Sequence, residues 1–322
     1  MKKGENLQMS FINEETGEKN KDIITNLFKE KPENHEYCNT DFGILFNYDM
    51  QALFNNIESE SIDLIFADPP YNIGKADWDT NKSIRDYIIW IEDWLSESHR
   101  ILKPNGTIYI MGFSENLSHI QVLADEYFDN SRWLIWHYKN KPSMGEDDWV
   151  RSHEGILHLR KGKKFVFNMD NIRVPYNKHT RNYPQRTQGE SSQYGNNDNE
   201  KKLWDPHKTG AKPRDVIDIP SLSGNSKENT EHPTQKPEEL LRKLILAVTN
   251  EGDVVFDPFG GSGTTYVVCE QLRRLWVGAE INKDYCKIIS KRIYEVPQKP
   301  VSYWIEQDFK RKIRRRKIRN GR

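Results

Sequence analysis

Apolar positions along the chain alternate between two periods. From Gly43, GILFNYD reads as a strand, MQALFNNI as a helix, and IDLIFAD as a short, nearly continuous apolar strand of the kind buried on both faces of a sheet. In DYIIWIEDWLSESHRIL, Tyr87, Ile88, Ile91, Trp94, Leu95 and Ile101 fall at helical spacing, and KPNG then supplies the Pro and Gly that stop a helix and start a turn. GTIYIMG returns as a strand, and a helical stretch near 117–127 leads to strands around 133–138 and 155–159. After Pro237, Leu240, Leu241, Leu244 and Ile245 form one apolar helix face. DVVFD (a strand), GTTYVVCEQLRR (a helix) and LWVGAEI (a strand) follow. This alternation predicts an α/β fold with a doubly wound, mostly parallel sheet.

Two stretches interrupt the pattern. Residues 1–40 are rich in Lys, Glu and Asn and predict a loosely packed arm with one short helix around 22–28. Between about 167 and 231 the aliphatic periodicity collapses into Asn, Gln, Lys, Arg, Tyr, Gly and Pro, which inside a compact domain marks a functional insert or a disordered one. The chain of 322 residues therefore divides into an arm (1–40), a first half-domain (41–166), an insert (167–231), a second half-domain (232–296) and a basic tail (297–322).

Composition narrows the class. Hydrophobic residues make up 35% and charged residues 30%, no apolar run reaches the roughly 18 residues of a membrane span, and no apolar leader follows the N-terminus. A cytoplasmic protein without a membrane partner is expected. Lys plus Arg and Asp plus Glu are both 48, so net charge alone does not point to a polyanion. The distribution does, because nine of the last thirteen residues, KRKIRRRKIRNGR, are Lys or Arg. Such a block is a solvated tail or a nonspecific nucleic-acid contact. Cys38, Cys269 and Cys286 have no C-x-x-C spacing and no paired His cluster, so no disulfide framework and no metal site is expected.

IDLIFADPPY places Asp68, Pro69, Pro70 and Tyr71 just past the carboxyl end of a buried strand, where open α/β sheets gather ligands. The prolines stiffen the backbone, donate no amide hydrogen and leave carbonyls free to accept. Asp68 and the Pro69 carbonyl can thus face an exocyclic amine as two acceptors, Asp68 can take the departing proton, and Tyr71 offers a ring on which an extruded base stacks. A rigid turn after a strand is the alternative reading of the tetrapeptide alone.

VVFDPFGGSGTT, residues 254–265, is a strand that ends in a glycine-rich loop and opens a helix. Gly260, Gly261 and Gly263 allow close backbone approach to a ligand. Glu280 closes the next strand, 17 positions after Gly263, where a carboxylate can accept from ribose hydroxyls. The Walker lysine is missing and G-x-G-x-x-G is not matched, so a nucleoside without phosphates, such as a sulfonium nucleoside, fits better than a nucleotide.

Together DPPY and DPFGGSGTT resemble the amino-methyltransferases of bacterial restriction-modification and regulatory systems, in the β arrangement that puts the catalytic motif first, target recognition next and the cofactor loop last. HPTQKP (232–237) and ILKPNGTIYI resemble further motifs of that family, and the similarity covers about 43–165 and 232–296. The resemblance implies a Rossmann-like S-adenosylmethionine-dependent methyltransferase fold. It assigns Asp68, Pro69, Pro70 and Tyr71 to the target base. Asp257, Pro258, Phe259, Gly260, Gly261, Ser262, Gly263 and Thr264 fall to the cofactor, and Glu280 to its ribose. Asp49 falls to the adenine end, with Tyr48 where the family has glycine, and His232 and Lys236 are candidates for the methionine carboxylate. Asp rather than Ser at the head of the tetrapeptide implies adenine N6 over cytosine N4 as the acceptor.

The insert 167–231 is then the target-recognition region for double-stranded DNA. Arg173, Lys178, Arg181 and Arg186 are candidates for phosphates or guanine edges, and Tyr176 and Tyr183 for stacking. The resemblance leaves open a homodimer and a cognate restriction endonuclease acting on the same site. RNA or protein glutamine methylation, and a noncatalytic DNA-binding module, are the rival readings; Asp68 speaks against the glutamine enzymes, whose tetrapeptide opens with Asn, and the intact cofactor loop against the module.

Overall fold

The computed structural model describes residues 14–74, 79, 83–140, 149–184, 186–187 and 203–320. The chain forms two compact units: Met1–Phe167 with Asp215–Val301, and Asn168–Arg214 with Ser302–Arg322. In the larger unit the elements run α1 (Glu14–Thr25), β1 (Glu36–Asn39), β2 (Gly43–Phe46), α2 (Met50–Asn56), β3 (Ile62–Ala67), α3 (Ile84–Ile101), β4 (Leu102–Gly112), α4 (Ser114–Ala124), β5 (Asn130–His137) and β6 (His153–Arg160). The smaller unit holds α5 (Lys178–Asn182), β7 (Arg186–Thr187) and β8 (Leu203–Trp204). Back in the larger unit come β9 (Val216–Asp218), α6 (Glu238–Val248), β10 (Val254–Asp257), α7 (Thr264–Leu272), β11 (Leu275–Ala279) and α8 (Lys283–Tyr294); α9 (Val301–Asn320) then carries the chain into the smaller unit.

Among the described residues, nine strands form one sheet in the order β1-β2-β11-β10-β3-β4-β6-β5-β9. Its centre, β2-β11-β10-β3-β4, is parallel throughout, while β6 runs antiparallel to both β4 and β5. The parallel strands are the continuous apolar runs of the sequence: every residue of β2, β10 and β11 is buried, as are all residues of β3 except Asp63. From β3 the chain proceeds outward to β4 on one side, and from β10 outward to β11 on the other. The order therefore reverses between β3 and β10, and their carboxyl ends open a crevice at that switch point. Trp94 from α3, Leu241 and Ile245 from α6, and Tyr266 and Val268 from α7 are all fully buried in the core of this unit.

Several expectations are corrected. The arm is packed from Glu14 onward: its helix is α1, earlier than expected, and Ile24, Leu27 and Phe28 are buried. β1 pairs with β2 at the sheet edge, so only residues 1–13 lie outside the described part. α3 hands directly to β4 at Leu102, and the KPNG segment interrupts that strand: Ile62 pairs with Leu102 and Leu64 with Thr107, so three extra residues loop out there. Of the insert, only Asn168–Arg214 belongs to the smaller unit; β9 joins the large sheet beside β5. The basic tail is the helix α9 over most of its length, and the Arg316 guanidinium donates to the Pro175 carbonyl within the same unit. Among the described residues no helix is long and apolar enough to cross a membrane.

Close packing at the β2–β11 pair depends on a glycine. A Cβ on Gly43 would lie 2.0 Å from the fully buried Trp276 ring. Gly43→Ala is expected to lower unfolding stability by about 3 kcal/mol, read from denaturant midpoints; an unchanged midpoint would show that the ring can move aside.

Candidate active site

The tetrapeptide turn beyond β3 and the glycine loop beyond β10 frame the crevice. Asp68 follows the last residue of β3. The Tyr87 hydroxyl of α3 donates to the Pro70 carbonyl at 2.9 Å, and the Asn116 amide of α4 donates to the Tyr71 carbonyl. Two neighbouring helices therefore hold the turn in place. The Tyr71 ring meets Phe113 edge-on, with centroids 4.8 Å apart.

The side chains of the tetrapeptide enter a buried charge cluster. Lys236 Nζ donates to Asp68 Oδ2 at 2.6 Å and lies 3.6 Å from Glu154 Oε2. The Tyr71 hydroxyl lies 2.8 Å from Asp68 Oδ1 and 3.1 Å from Glu154 Oε2, and the Tyr138 hydroxyl donates to Glu154 Oε1 at 3.3 Å. Glu154 is 5% exposed and Lys236 7%. Burial alone would lower the Lys236 ammonium, but Asp68 and Glu154 outweigh it and hold the group above its ordinary range, so it stays charged. Burial, reinforced by the same two carboxylates, pushes the Tyr71 phenol well up, so it stays neutral.

The glycine loop continues from β10. Asp257 is buried; its Oδ1 accepts from the Phe259 amide at 2.9 Å and its Oδ2 from the Thr265 hydroxyl. Gly261 and Gly263 have φ of +52° and +75°, a region that L side chains rarely adopt. Glu280, one residue past β11, accepts from the Gly261 amide and the Asn282 amide, each at 2.7 Å, so its carboxylate tightens the loop while facing the cavity. Arg292 of α8 donates to the Ser262 carbonyl at 2.6 Å and to Glu238 Oε1 at 3.2 Å, pinning the loop from behind.

These elements enclose a cavity of about 500 Å³. It is lined by Asp49, Asp68, Pro70, His232, Lys236, Asp257 to Ser262, Thr264 and Glu280 from the expected set, and by Tyr48, Trp90, Ile281 and Tyr285 beyond it. Gly263 is not in the wall; it starts α7. Asp49 caps α2, its Oδ1 accepting from Gln51 and Ala52 amides. The His232 ring packs edge-on against Tyr285. A second cavity of about 260 Å³ shares Asp68, His232 and Lys236 and adds Pro69, Tyr71, Phe113, Trp136, Glu154 and Ser221.

Lys236 departs from its expected place: its ammonium sits on Asp68 and Glu154. Glu154 went unread in the sequence. Its one signal is an acidic residue directly before the apolar run GIL in β6. In the smaller unit, Arg173 is turned inward, donating to Asp170 Oδ1 at 2.7 Å and to the Gly210 carbonyl, with an 11% exposed side chain. That is a structural role, in contrast to Lys178, Arg181 and Tyr183, which are exposed on or beside α5. Tyr176 is half-buried just before α5, and Arg186 lies in β7.

A sequence model of the N6/N4 type, described as DNA methylase, matches residues 62–291. Type II methyltransferase M.HpaI of Haemophilus parainfluenzae is 36% identical over 244 residues, covering 74% of this chain and 70% of that protein. DNA adenine methyltransferase YhdJ of Escherichia coli (strain K12) is 35% identical over 248 residues, covering 76% and 80%. Among solved structures, the M1.HpyAVI–SAM complex is 27% identical at a TM-score of 0.50, covering 77% of this chain and 98% of that one.

Burial pushes the Asp257 carboxyl up to about 7. Its folded-state value thus exceeds that of an unfolded aspartate, about 4, and the folded protein holds the proton more tightly. That contribution to stability is complete at low pH and is lost as pH rises through about 7. Asp257→Asn is expected to flatten the loss of stability between about pH 4 and 7, measured as denaturation midpoints. An unchanged slope would assign the pH dependence to other groups.

Proposed function

The chain belongs to the N6/N4 DNA methylase family of S-adenosylmethionine-dependent enzymes, and we propose that within it this protein methylates the N6 amino group of adenine in duplex DNA, at a specific short sequence and on a base flipped out of the helix. The observation that carries this reading is Asp68, which lines both cavities and so can face a base in the smaller one and a cofactor in the larger. The aspartate at the head of the tetrapeptide favours adenine over cytosine, and the name of the YhdJ relative supports the same choice.

The larger cavity fits the cofactor in its chemistry. A glycine loop without a phosphate-binding lysine suits a nucleoside, and Glu280 faces the cavity with lone pairs left for ribose hydroxyls. Asp49 would lie at the adenine end, the loop from Asp257 to Ser262 would wrap the methionine part, and His232 is the candidate for its carboxylate now that Lys236 is engaged elsewhere. When bound, S-adenosylmethionine supplies an electrophilic methyl group.

An adenine amine is a poor nucleophile because its lone pair is delocalised into the ring. Asp68 and the Pro69 carbonyl would accept its two N–H hydrogens, localise the pair and aim it at the methyl carbon. Asp68 then takes the proton that the methylated nitrogen sheds. Tyr71, in the wall of the smaller cavity, offers the ring for stacking. In the smaller unit, Lys178, Arg181 and Tyr183 on α5 and the exposed Lys310, Arg311, Arg314 and Lys317 on α9 form the candidate DNA surface. Type II names among the relatives support a restriction endonuclease acting on the same site as a functional partner.

Labelled methyl transfer to unmethylated DNA, with the product digested to nucleosides, is expected to give N6-methyladenine, and Asp68→Ala is expected to slow transfer by about 10³-fold. Label in N4-methylcytosine would overturn the base assignment, and absence of label in DNA would overturn the substrate. Arg314→Ala with Lys317→Ala is expected to weaken DNA binding uniformly across sequences. The slope of log affinity against log salt should fall by about 2, and an unchanged slope would remove α9 from the interface.

A further inference from the structure

Glu154 has no part in the mechanism just described, yet it is a carboxylate buried within reach of the reacting group. It stands on β6, opposite Trp136 of β5, and belongs to the wall of the cavity that would receive the base. Its Oε1 accepts from Tyr138 and its Oε2 faces both the Tyr71 hydroxyl and the Lys236 ammonium.

The hydrogen count of this cluster is informative. A phenol carries a single hydrogen, yet the Tyr71 oxygen lies within hydrogen-bond distance of Asp68 Oδ1 and of Glu154 Oε2. It can donate to one carboxylate at a time, so a proton arriving on Asp68 can be passed on when Tyr71 gives its own hydrogen to Glu154. Lys236 stands as counter-charge beside both carboxylates, and amine methylation releases one proton.

We propose that Glu154 is the terminal acceptor of that proton, which passes from Asp68 through the Tyr71 hydroxyl, with Lys236 as counter-charge to both carboxylates. The inference rests on the reading that Asp68 faces the amine. The amine pair forms the new N–C bond while the C–S bond breaks and leaves its pair on sulfur. The cationic nitrogen gives its proton to Asp68. Asp68 returns to carboxylate by protonating the Tyr71 oxygen as Tyr71 gives its own hydrogen to Glu154 Oε2. Glu154 ends as a neutral acid and later loses the proton to solvent. Glu154 acts through Tyr71 and so is a positioning and relay group that does not touch the base.

Tyr71→Phe keeps the ring and removes the relay hydrogen; Glu154→Gln keeps the shape and removes the proton acceptor. Three quantities are measured on the full chain: the single-turnover rate of methyl transfer, the dissociation constant of S-adenosylmethionine, and the fluorescence of 2-aminopurine placed at the target base. Each variant is expected to slow single turnover by roughly 10²-fold, with cofactor affinity and the fluorescence signal unchanged. The double variant is expected to be no slower than either single one, as for residues that act as a unit. Single-turnover rates within about threefold of wild type (under 1 kcal/mol) in either variant would overturn the relay. So would losses that multiply in the double variant, or loss of cofactor binding or base extrusion, which would mark a merely structural role. Asp68→Ala is run alongside: if it alone abolishes transfer while Glu154→Gln is fully active, the relay fails and the role of Asp68 stands. If Asp68→Ala remains active, the underlying reading fails.

Discussion

The parallel pairing of β3 with β10 is the constraint on which the site depends. These strands are about 190 residues apart in the chain, yet Leu64 faces Val255 and Ile65 faces Phe256 in one ladder. Asp63 extends the join, its Oδ2 accepting from the Val254 amide at 2.9 Å and from Lys103 at 2.7 Å. Closing so long a loop costs conformational entropy, and two apolar strands buried on both faces offset it through hydrophobic burial. Once the pair forms, the first residues beyond each strand are forced side by side, bringing the Asp68 turn and the Asp257–Gly261 loop to one crevice. Both motifs meet at this pair because the crossovers from β3 and β10 leave in opposite directions.

That placement concentrates negative charge where water is scarce. Asp68, Glu154, Asp257 and Glu280 all lie at the crevice, and they are settled in different ways. Glu280 is satisfied by backbone amides, with burial nonetheless raising its carboxyl. Asp257 has two donors and burial strong enough to move it to about 7. Asp68 and Glu154 share an ammonium and a phenol, Lys236 and Tyr71. Backbone amides thus anchor the carboxylates of the glycine loop, whereas side-chain donors hold the pair beside the tetrapeptide.

Much of the central sheet was legible in the chain because its strands read as unbroken apolar runs and its helices as 3.6-residue faces. The two motifs were legible because they follow strand ends directly, DPPY after IDLIFA and PFGGSG after VVFD. What stayed hidden depends on pairing across the fold. The antiparallel turn of β6 against β4 and β5 leaves no trace in periodicity, and β9 is three residues long. α9 was obscured by its charge: a run of Lys and Arg reads as a solvated tail, although these residues also have good helix propensity. Residue type alone makes Arg173 a candidate for phosphates or guanine edges, but its partners, Asp170 and the Gly210 carbonyl, emerge only when 168–174 folds back on 210–211.

Lys236 shows why a motif can be read to the right region and the wrong atom. HPTQKP precedes α6 and borders the cofactor cavity, so a basic residue there invites assignment to an anionic part of the cofactor. Its neighbours decide otherwise. The lysine is 7% exposed, its backbone carbonyl accepts from Thr264 of the glycine loop at 3.2 Å, and its ammonium reaches across the sheet to the carboxylate beyond β3. One residue thus joins the glycine loop by its main chain and the tetrapeptide turn by its side chain. A shift of the loop on ligand binding would be felt at Asp68 through a single residue, with no change in the sheet beneath.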